Sequence, residues 1–465
     1  MSNDSPSERN RAGISRRDFV TGGSAALAGG AAFGGAALPA AAAPRLTMFP
    51  TGPRQDTRVR AFRTLGRTGW RVSDVGMGSV PLRESNVVRY VYDKGVNYFD
   101  TAEGYGNGAA ERAIGEAMQH MQRDKIFITS KGRVADDDSA ATIVNRVRQS
   151  LERLRTDYVD AYSIHAASSI EALNHAGYHQ AMDQLKAEGR VRFTGVSYHG
   201  PGSPQGISMG DLLTAAAEDG RFDLLLLVYN FLNHEEGDRI IAACKANNVG
   251  TTAMKTSPGT LSYEPLDPEN LTDRQQEYVE RFTRRGQSRE SAIQRLEAQT
   301  QRQKDLYDRT QPFVERYGVS TEEQLRLVSI HWVLQNPDMH TACIAFTNFD
   351  LVDKVVPLSG TRLGSAELQL LQECKLALDR QYCRHGCTAC GTRCPHDVPV
   401  STIMRYAYYY EGQGRQKDAM ELYAGLRGSN ATACRDCAGD CSGACPYGID
   451  ILPSMLQVHD LLTLA

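Results

Sequence analysis

Eight short runs rich in β-branched and aromatic residues recur between Val72 and Phe346, separated by stretches with helical apolar spacing. They read VSDVGMG from Val72, VNYFD from Val96, IFITS from Ile126, YVDAYSI from Tyr158, RFTGVS from Arg192, DLLLLVY from Asp223, VGTTAM from Val249 and TACIAF from Thr341. Strand-like runs alternating with helical ones are the pattern of consecutive parallel βα units. The helical stretches carry single apolar stripes, Ile143, Val147, Leu151 and Leu154 in one and Ala110, Ile114, Ala117 and Met118 in another. Each stripe needs a sheet to cover. Eight units predict an α/β fold, a closed (β/α)8 TIM barrel over residues 61–370, whose functional groups gather at the C-terminal ends of its strands.

The chain has 465 residues, too many for one ordinary core, so a second folded unit is expected at 375–465. A net charge of -3 gives no electrostatic reason for a nucleic-acid or anionic-lipid partner, and points instead to small-molecule ligands. Before the barrel, Ser15, Arg16, Arg17, Asp18, Phe19 and Val20 end a basic polar stretch and lead into an Ala/Gly-rich run from Thr21 to Leu38. Charge, mild apolar run and the small residues Ala40 and Ala42 follow in the order of a signal peptide, and the arginine pair matches the twin-arginine pattern. The run is too weakly apolar for a membrane anchor. We therefore expect a signal peptide over 1–42, a linker over 43–60, and a protein exported to the periplasm or its equivalent.

Four reactive side chains fall at the ends of three successive runs. Asp100 ends the second, Lys131 follows the third, His165 follows the fourth, and Tyr105 lies five residues beyond Asp100 in a Gly-rich turn. A carbonyl accepts hydride only if the developing alkoxide is neutralised, and a phenol can do this by donating its proton. A nearby ammonium would lower the phenol's pKa, and a carboxylate would hold that ammonium in place. Here the chain resembles the aldo-keto reductase family, through FRTLGRTGWRVSDVGMGS from Phe62, FDTAEGYGNGAAERAIGEAM from Phe99, ITSKGR from Ile128 and YSIHA from Tyr162. The resemblance implies that Asp100, Tyr105, Lys131 and His165 are catalytic, with His165 orienting the substrate oxygen, and that NAD(P)H is the cofactor.

On the cofactor side, the resemblance implies binding by Ser197, by Tyr229 and Asn230, and by Lys255. Leu226 stands where the family usually has an amide side chain, which removes one cofactor hydrogen bond. Phe346 stands near an expected glycine, and Lys354 is the nearby cation for an adenosine phosphate. From about Thr256 to Tyr317 runs a long insertion of mixed charge. It reads as helices with solvated faces, either a lid or interaction surface, or a plain solvated excursion.

Eight of the eleven cysteines form two quartets near the end of the chain. Cys383, Cys387, Cys390 and Cys394 precede Pro395, and Cys434, Cys437, Cys441 and Cys445 precede Pro446. This spacing resembles that of two-cluster ferredoxin domains, implying a small, mainly helical unit holding two iron-sulfur clusters of the 4Fe-4S type, with the last cysteine of each run able to serve the other cluster. Each quartet has one gap of three residues where the usual motif has two. Four disulfides or two zinc sites are the competing uses of eight such thiols. The expected function is that of an exported oxidoreductase acting on a small carbonyl or alcohol, with electrons passing through the clusters to or from a protein partner. The alternative is an electron-transfer or binding subunit whose barrel no longer turns over.

Overall fold

In a computed structural model, residues 57–258, 264–284, 286, 288–319, 322–426 and 428–463 are described. The proposed signal peptide, all of 1–42, lies outside them.

The eight runs become the eight parallel strands of a closed barrel, in the order β10-β3-β4-β5-β6-β7-β8-β9. These are β3 (Val75–Gly78), β4 (Tyr98–Asp100), β5 (Phe127–Gly132), β6 (Val159–Ile164), β7 (Val191–Ser197), β8 (Leu224–Val228), β9 (Gly250–Met254) and β10 (Thr341–Ala345). Closure comes from β10 lying beside β3, with Ala342 opposite Val75 and Ala345 opposite Gly78. Every residue of β5, β6, β8 and β9 is buried, as expected of strands covered by helices outside and packed side chains inside.

The first run divides in two. Its beginning pairs as β2 (Arg71–Ser73) with β1 (Phe62–Thr64) in an antiparallel hairpin. With the hairpin, Leu65 and Val72 form an apolar cluster with Tyr98, Phe127, Ala161 and Leu224. The rings of Tyr98 and Phe127 stack at 5.5 Å. The barrel interior is therefore filled with side chains at this end, and functional groups are left to the other.

Helices α1 (Ser85–Asp93), α2 (Ala109–Met118), α3 (Ala140–Leu154), α4 (Ile170–Leu173), α5 (Ala176–Ala187), α6 (Met209–Glu218) and α7 (Glu235–Ala246) follow their strands. Helix α3 shows the sequence logic well. Ser139 caps it by accepting the Thr142 N–H, and Ile143, Val147, Leu151 and Leu154 form its buried stripe.

The insertion contains α8 (Asp273–Thr283), opened by a capping box between Thr272 and Gln275, and α9 (Arg289–Tyr317). It is more than a solvated excursion. Tyr278, Val279, Phe282, Ala292, Ile293 and Leu296 join one hydrophobic core with Ile403, Tyr410, Met455 and Leu462 of the C-terminal segment. After α10 (Glu322–Leu334), α11 (Phe349–Val355) and α12 (Ser365–Leu378), that segment contributes α13 (Val400–Gly412), α14 (Gln416–Ala424) and α15 (Ile451–Leu462). The described residues all belong to one compact unit.

Candidate active site

Asp100 ends β4 and Lys131 lies near the end of β5, so the parallel pairing sets both at the same mouth. The Lys131 amine donates to Asp100 Oδ1 and Oδ2 at 2.6 and 2.8 Å, and to the carbonyl of Thr101 at 2.8 Å. With Lys131 1% exposed, this is a desolvated ion pair with every ammonium hydrogen used. Tyr105 reaches back over it from the turn between β4 and α2. Asn107 and its neighbours Gly106 and Gly108 all have positive φ, and that left-handed run lets the chain reverse and start α2. The Lys131 amine lies 5.0 Å from the centre of the Tyr105 ring, and His165 meets that ring edge-on at 5.7 Å. The four residues singled out in the sequence are thus brought together.

Their electrostatics differ from the sequence expectation in one respect. Lys131 was expected to lower the pKa of Tyr105, but burial outweighs it and the phenol is pushed up to about 12. Asp100 adds to the effect of burial, because its carboxylate opposes the field that the ammonium exerts on the ring. Burial, reinforced by Lys131 and Arg133, holds His165 well below the usual histidine range, so the imidazole is neutral.

The cofactor-side residues divide. Lys255, at the end of β9 with φ of 51°, lines the same cavity as Asp100 and Tyr105. Ser197 ends β7, but its hydroxyl accepts the Ala166 N–H at 3.0 Å and reaches the Ile164 carbonyl at 3.4 Å, tying strand ends together. Tyr229 is fully buried, donates to Asp238 at 2.8 Å and packs on Trp332. Asn230 holds its own loop and donates to the Lys255 carbonyl at 2.9 Å and to Tyr382 Oη at 3.2 Å. Neither lines the mouth cavity. Leu226 does line it, whereas Phe346 turns into the core and obstructs nothing there. Lys354 is paired with Glu323 and Asp350, and Arg326 is the cation that borders the cavity on that side.

The cavity, of about 740 Å³, is built from three parts of the chain. The barrel supplies Asp100, Tyr105, Leu226 and Lys255, the insertion supplies Gln275, Tyr278 and Gln299, and the C-terminal segment supplies Tyr408, Tyr409 and Arg415. His199 also lines it. None of these roof residues was selected from the sequence as part of the mouth. His199, two residues beyond the end of β7, was the one legible signal among them, since a side chain so near a strand end falls at the mouth.

All eleven cysteines are free thiols, so the disulfide use of the quartets is not seen here. Among the described residues, no group of three or more His, Cys, Asp or Glu converges on a single metal ion. The thiols nonetheless share surroundings in a definite way. Burial raises Cys383, with Cys390, Cys387 and Cys445 adding to the effect, while Cys434 is raised by burial and then by Cys394, Cys441 and Cys437.

A family model described as the aldo/keto reductase family matches residues 69–376, well over half of the 465. An uncharacterized oxidoreductase, YqkF of Bacillus subtilis, is 34% identical over 148 residues, 29% of this chain and 48% of that protein. The chain thus spans about half the length of the curated relatives it matches at that identity. The NADH-specific methylglyoxal reductase of Escherichia coli is 23% identical over 308 residues, 62% of this chain and 85% of that protein. A solved aldo-keto reductase from Klebsiella pneumoniae, in complex with NADPH, overlaps 67% of this chain and 95% of its own, with 19% identity and a TM-score of 0.46.

Proposed function

This chain belongs to the aldo/keto reductase family, and from that footing we propose that it is an exported oxidoreductase acting on a small carbonyl or alcohol at the barrel mouth, with electron exchange through two iron-sulfur clusters. The observation that carries the catalytic half is the buried Asp100–Lys131 pair beneath Tyr105, with neutral His165 at the ring edge. In carbonyl reduction Tyr105 donates its proton to the substrate oxygen. Its raised pKa keeps that proton in place through neutral pH. Lys131 stabilises the phenolate as it forms, and neutral His165 has a ring N–H to offer the same oxygen.

A bound nicotinamide would supply the hydride. The cavity's reach from Tyr105 to Arg326 and Thr347, together with the cations Lys255 and Arg326, supports binding of such a dinucleotide. Of the residues the resemblance singled out, Lys255 lines the cavity, while the side chains of Ser197, Tyr229 and Asn230 are hydrogen-bonded within the protein.

The donor set fits two clusters. Among the eight free thiols Cys383 feels Cys390, Cys387 and Cys445, Cys434 feels Cys394, Cys441 and Cys437, and Cys390 feels Cys441 as well as Cys387 and Cys445. This supports a partition of Cys383, Cys387, Cys390 and Cys445 to one cluster and Cys434, Cys437, Cys441 and Cys394 to the other. In that partition each cluster would take its last ligand from the other run, the crossing of the two-cluster ferredoxin pattern. A cubane holds thiolates at four separate corners, so its ligands need not converge on one point as those of a single ion do. Clusters so bound would accept and give electrons one at a time. The test is reduction of methylglyoxal by anaerobically purified protein, with iron and zinc measured on the same sample. Turnover with iron present supports the reading, whereas stoichiometric zinc and no iron would overturn its electron-transfer half.

A further inference from the structure

Tyr105 does not stand alone at the mouth. Its ring meets His165 at 5.7 Å, and His165 meets His199 edge-on at 5.1 Å. The Lys255 amine lies 3.5 Å from His199 Nδ1, and 5.7 Å from the ring centre of Tyr409 on α13. Five proton-carrying side chains therefore stand in sequence from the bottom of the mouth to its roof. Within this row, Nδ1 of His199 faces an ammonium and so acts as acceptor, which leaves the ring proton on Nε2. That atom is buried with no partner in the protein, a donor that has to find water or substrate. The backbone around it is fixed, since Arg405 of α13 donates to the His199 carbonyl.

We propose that His199, Lys255 and Tyr409 relay protons between Tyr105 and the roof, making the C-terminal segment part of the acid-base machinery of the barrel. This rests on the oxidoreductase reading above. In each reduction the carbonyl carbon gains a hydride, with its electron pair, from a reduced nicotinamide, and the Tyr105 O–H bond breaks as the substrate O–H bond forms. The phenolate left behind then recovers one proton along the row, which Tyr409 and Lys255 replace from the solvent at the rim. Oxidation of an alcohol runs the same path outward. His199, Lys255 and Tyr409 act through Tyr105 and are positioning residues.

The charges along the row suit this role. His165 and His199 are held neutral by burial, so each imidazole can accept at one nitrogen and donate at the other. Burial draws Lys255 down to about 8, and Lys255, Arg405 and Arg415 together draw Tyr409 below the ordinary phenol range despite its burial. Lys131 and Arg133 act on His165, Lys255 and Arg405 act on His385, and Tyr408 adjoins Tyr409. Among the described residues Lys255 has no carboxylate in salt-bridge range, so its proton is held loosely enough to move, in contrast to that of Lys131.

Two measurements on the full, cluster-loaded protein test the proposal. Ultraviolet titration should find one tyrosine ionising ahead of the others, lost in Tyr409→Phe and moved to higher pH in Lys255→Met. With methylglyoxal, Tyr409→Phe and His199→Gln should lower kcat roughly tenfold or more with little change in KM, and raise the solvent isotope effect. Added imidazole should restore part of the rate to His199→Ala, which a merely structural role would not allow. Variants with wild-type kcat and isotope effect, a loss that imidazole does not repair, or absence of the early tyrosine would each overturn the relay. If the wild type reduces no carbonyl although the early tyrosine is present, it is the oxidoreductase reading that fails, and the relay falls with it.

Discussion

Burying a carboxylate and an ammonium at a barrel mouth is tolerable only because Lys131 donates to both oxygens of Asp100 and to the Thr101 carbonyl. Removing one partner strands the other. Lys131→Met should therefore destabilise the protein by about 3–5 kcal/mol, measured by denaturant titration, as well as abolish turnover. Tyr105→Phe removes one hydroxyl and no packing, so it should cut carbonyl reduction by a factor of roughly 10² or more while leaving the unfolding midpoint unchanged. A mutant that turned over normally would remove Tyr105 from the mechanism. The pH profile separates the groups. With its phenol at about 12, Tyr105 stays protonated through neutral pH and imposes no limb there, whereas Lys255, at about 8, loses the proton it delivers as pH rises. Reduction should therefore slow above about pH 8, and that limb should vanish in Lys255→Met. Asp100, Tyr105, Lys131 and His165 were legible in the sequence because strand ends of a parallel barrel share one mouth. The direction of the Tyr105 shift was not, because it depends on how closely Asp100 neutralises Lys131 and how completely the mouth is covered.

Among the elements, the strands were legible because each is a short apolar run bounded by helical periodicity, and all eight form where those runs stand. The division of the first run was not, since Val72 and Val75 look alike until Asp74 is seen accepting from Ser359 Oγ at 2.6 Å and from the Gly360 N–H at 3.1 Å. The fate of the insertion was hidden for a similar reason. Its apolar positions are too scattered to show that Tyr278, Phe282 and Leu296 complete a core whose other half lies more than a hundred residues later. A different kind of tension sits at the start of α7. Burial pushes Glu236 up to about 7, against partial relief from the Gly210 N–H and Arg239. A carboxyl whose folded pKa is raised binds more protons folded than unfolded, so stability is greatest at low pH and falls as pH rises from about 4.5 through about 7. Glu236→Gln should match the wild type near pH 5 and exceed it by about 1–3 kcal/mol near pH 8, read from thermal unfolding at the two pH values. Equal differences at both would show that Glu236 is not the titrating group.

For the whole molecule, the cysteine spacing suggests two sites and allows the last cysteine of each run to serve the other, and the nearness of Cys445 to Cys383 and of Cys394 to Cys434 in the folded segment supports that proposed crossing. If both sites hold cubanes, anaerobic protein should carry about eight iron atoms with visible absorption that dithionite bleaches. The proposed address and the proposed chemistry then make opposite demands. Family membership implies a nicotinamide that exchanges freely, yet an exported protein would work where such cofactors are not regenerated. For the proposed nicotinamide we expect retention rather than exchange. Tyr408, Tyr409 and Arg415 roof it, Tyr408 Oη is tied to the Ser257 carbonyl at 2.9 Å, and Arg405 is bonded to the His199 carbonyl, so release of a dinucleotide would have to disturb contacts between barrel and C-terminal segment. A nicotinamide bound before export and recycled in place through the clusters satisfies both demands. Steady-state turnover with added NADPH should then be poor, and turnover with a one-electron dye faster. Replacing Cys390 and Cys437 with serine should abolish the dye-dependent rate, because in the proposed partition each serves a different cluster. Rapid, saturable NADPH oxidation that survives both replacements would show instead that the clusters are structural and that the roof opens on every turnover.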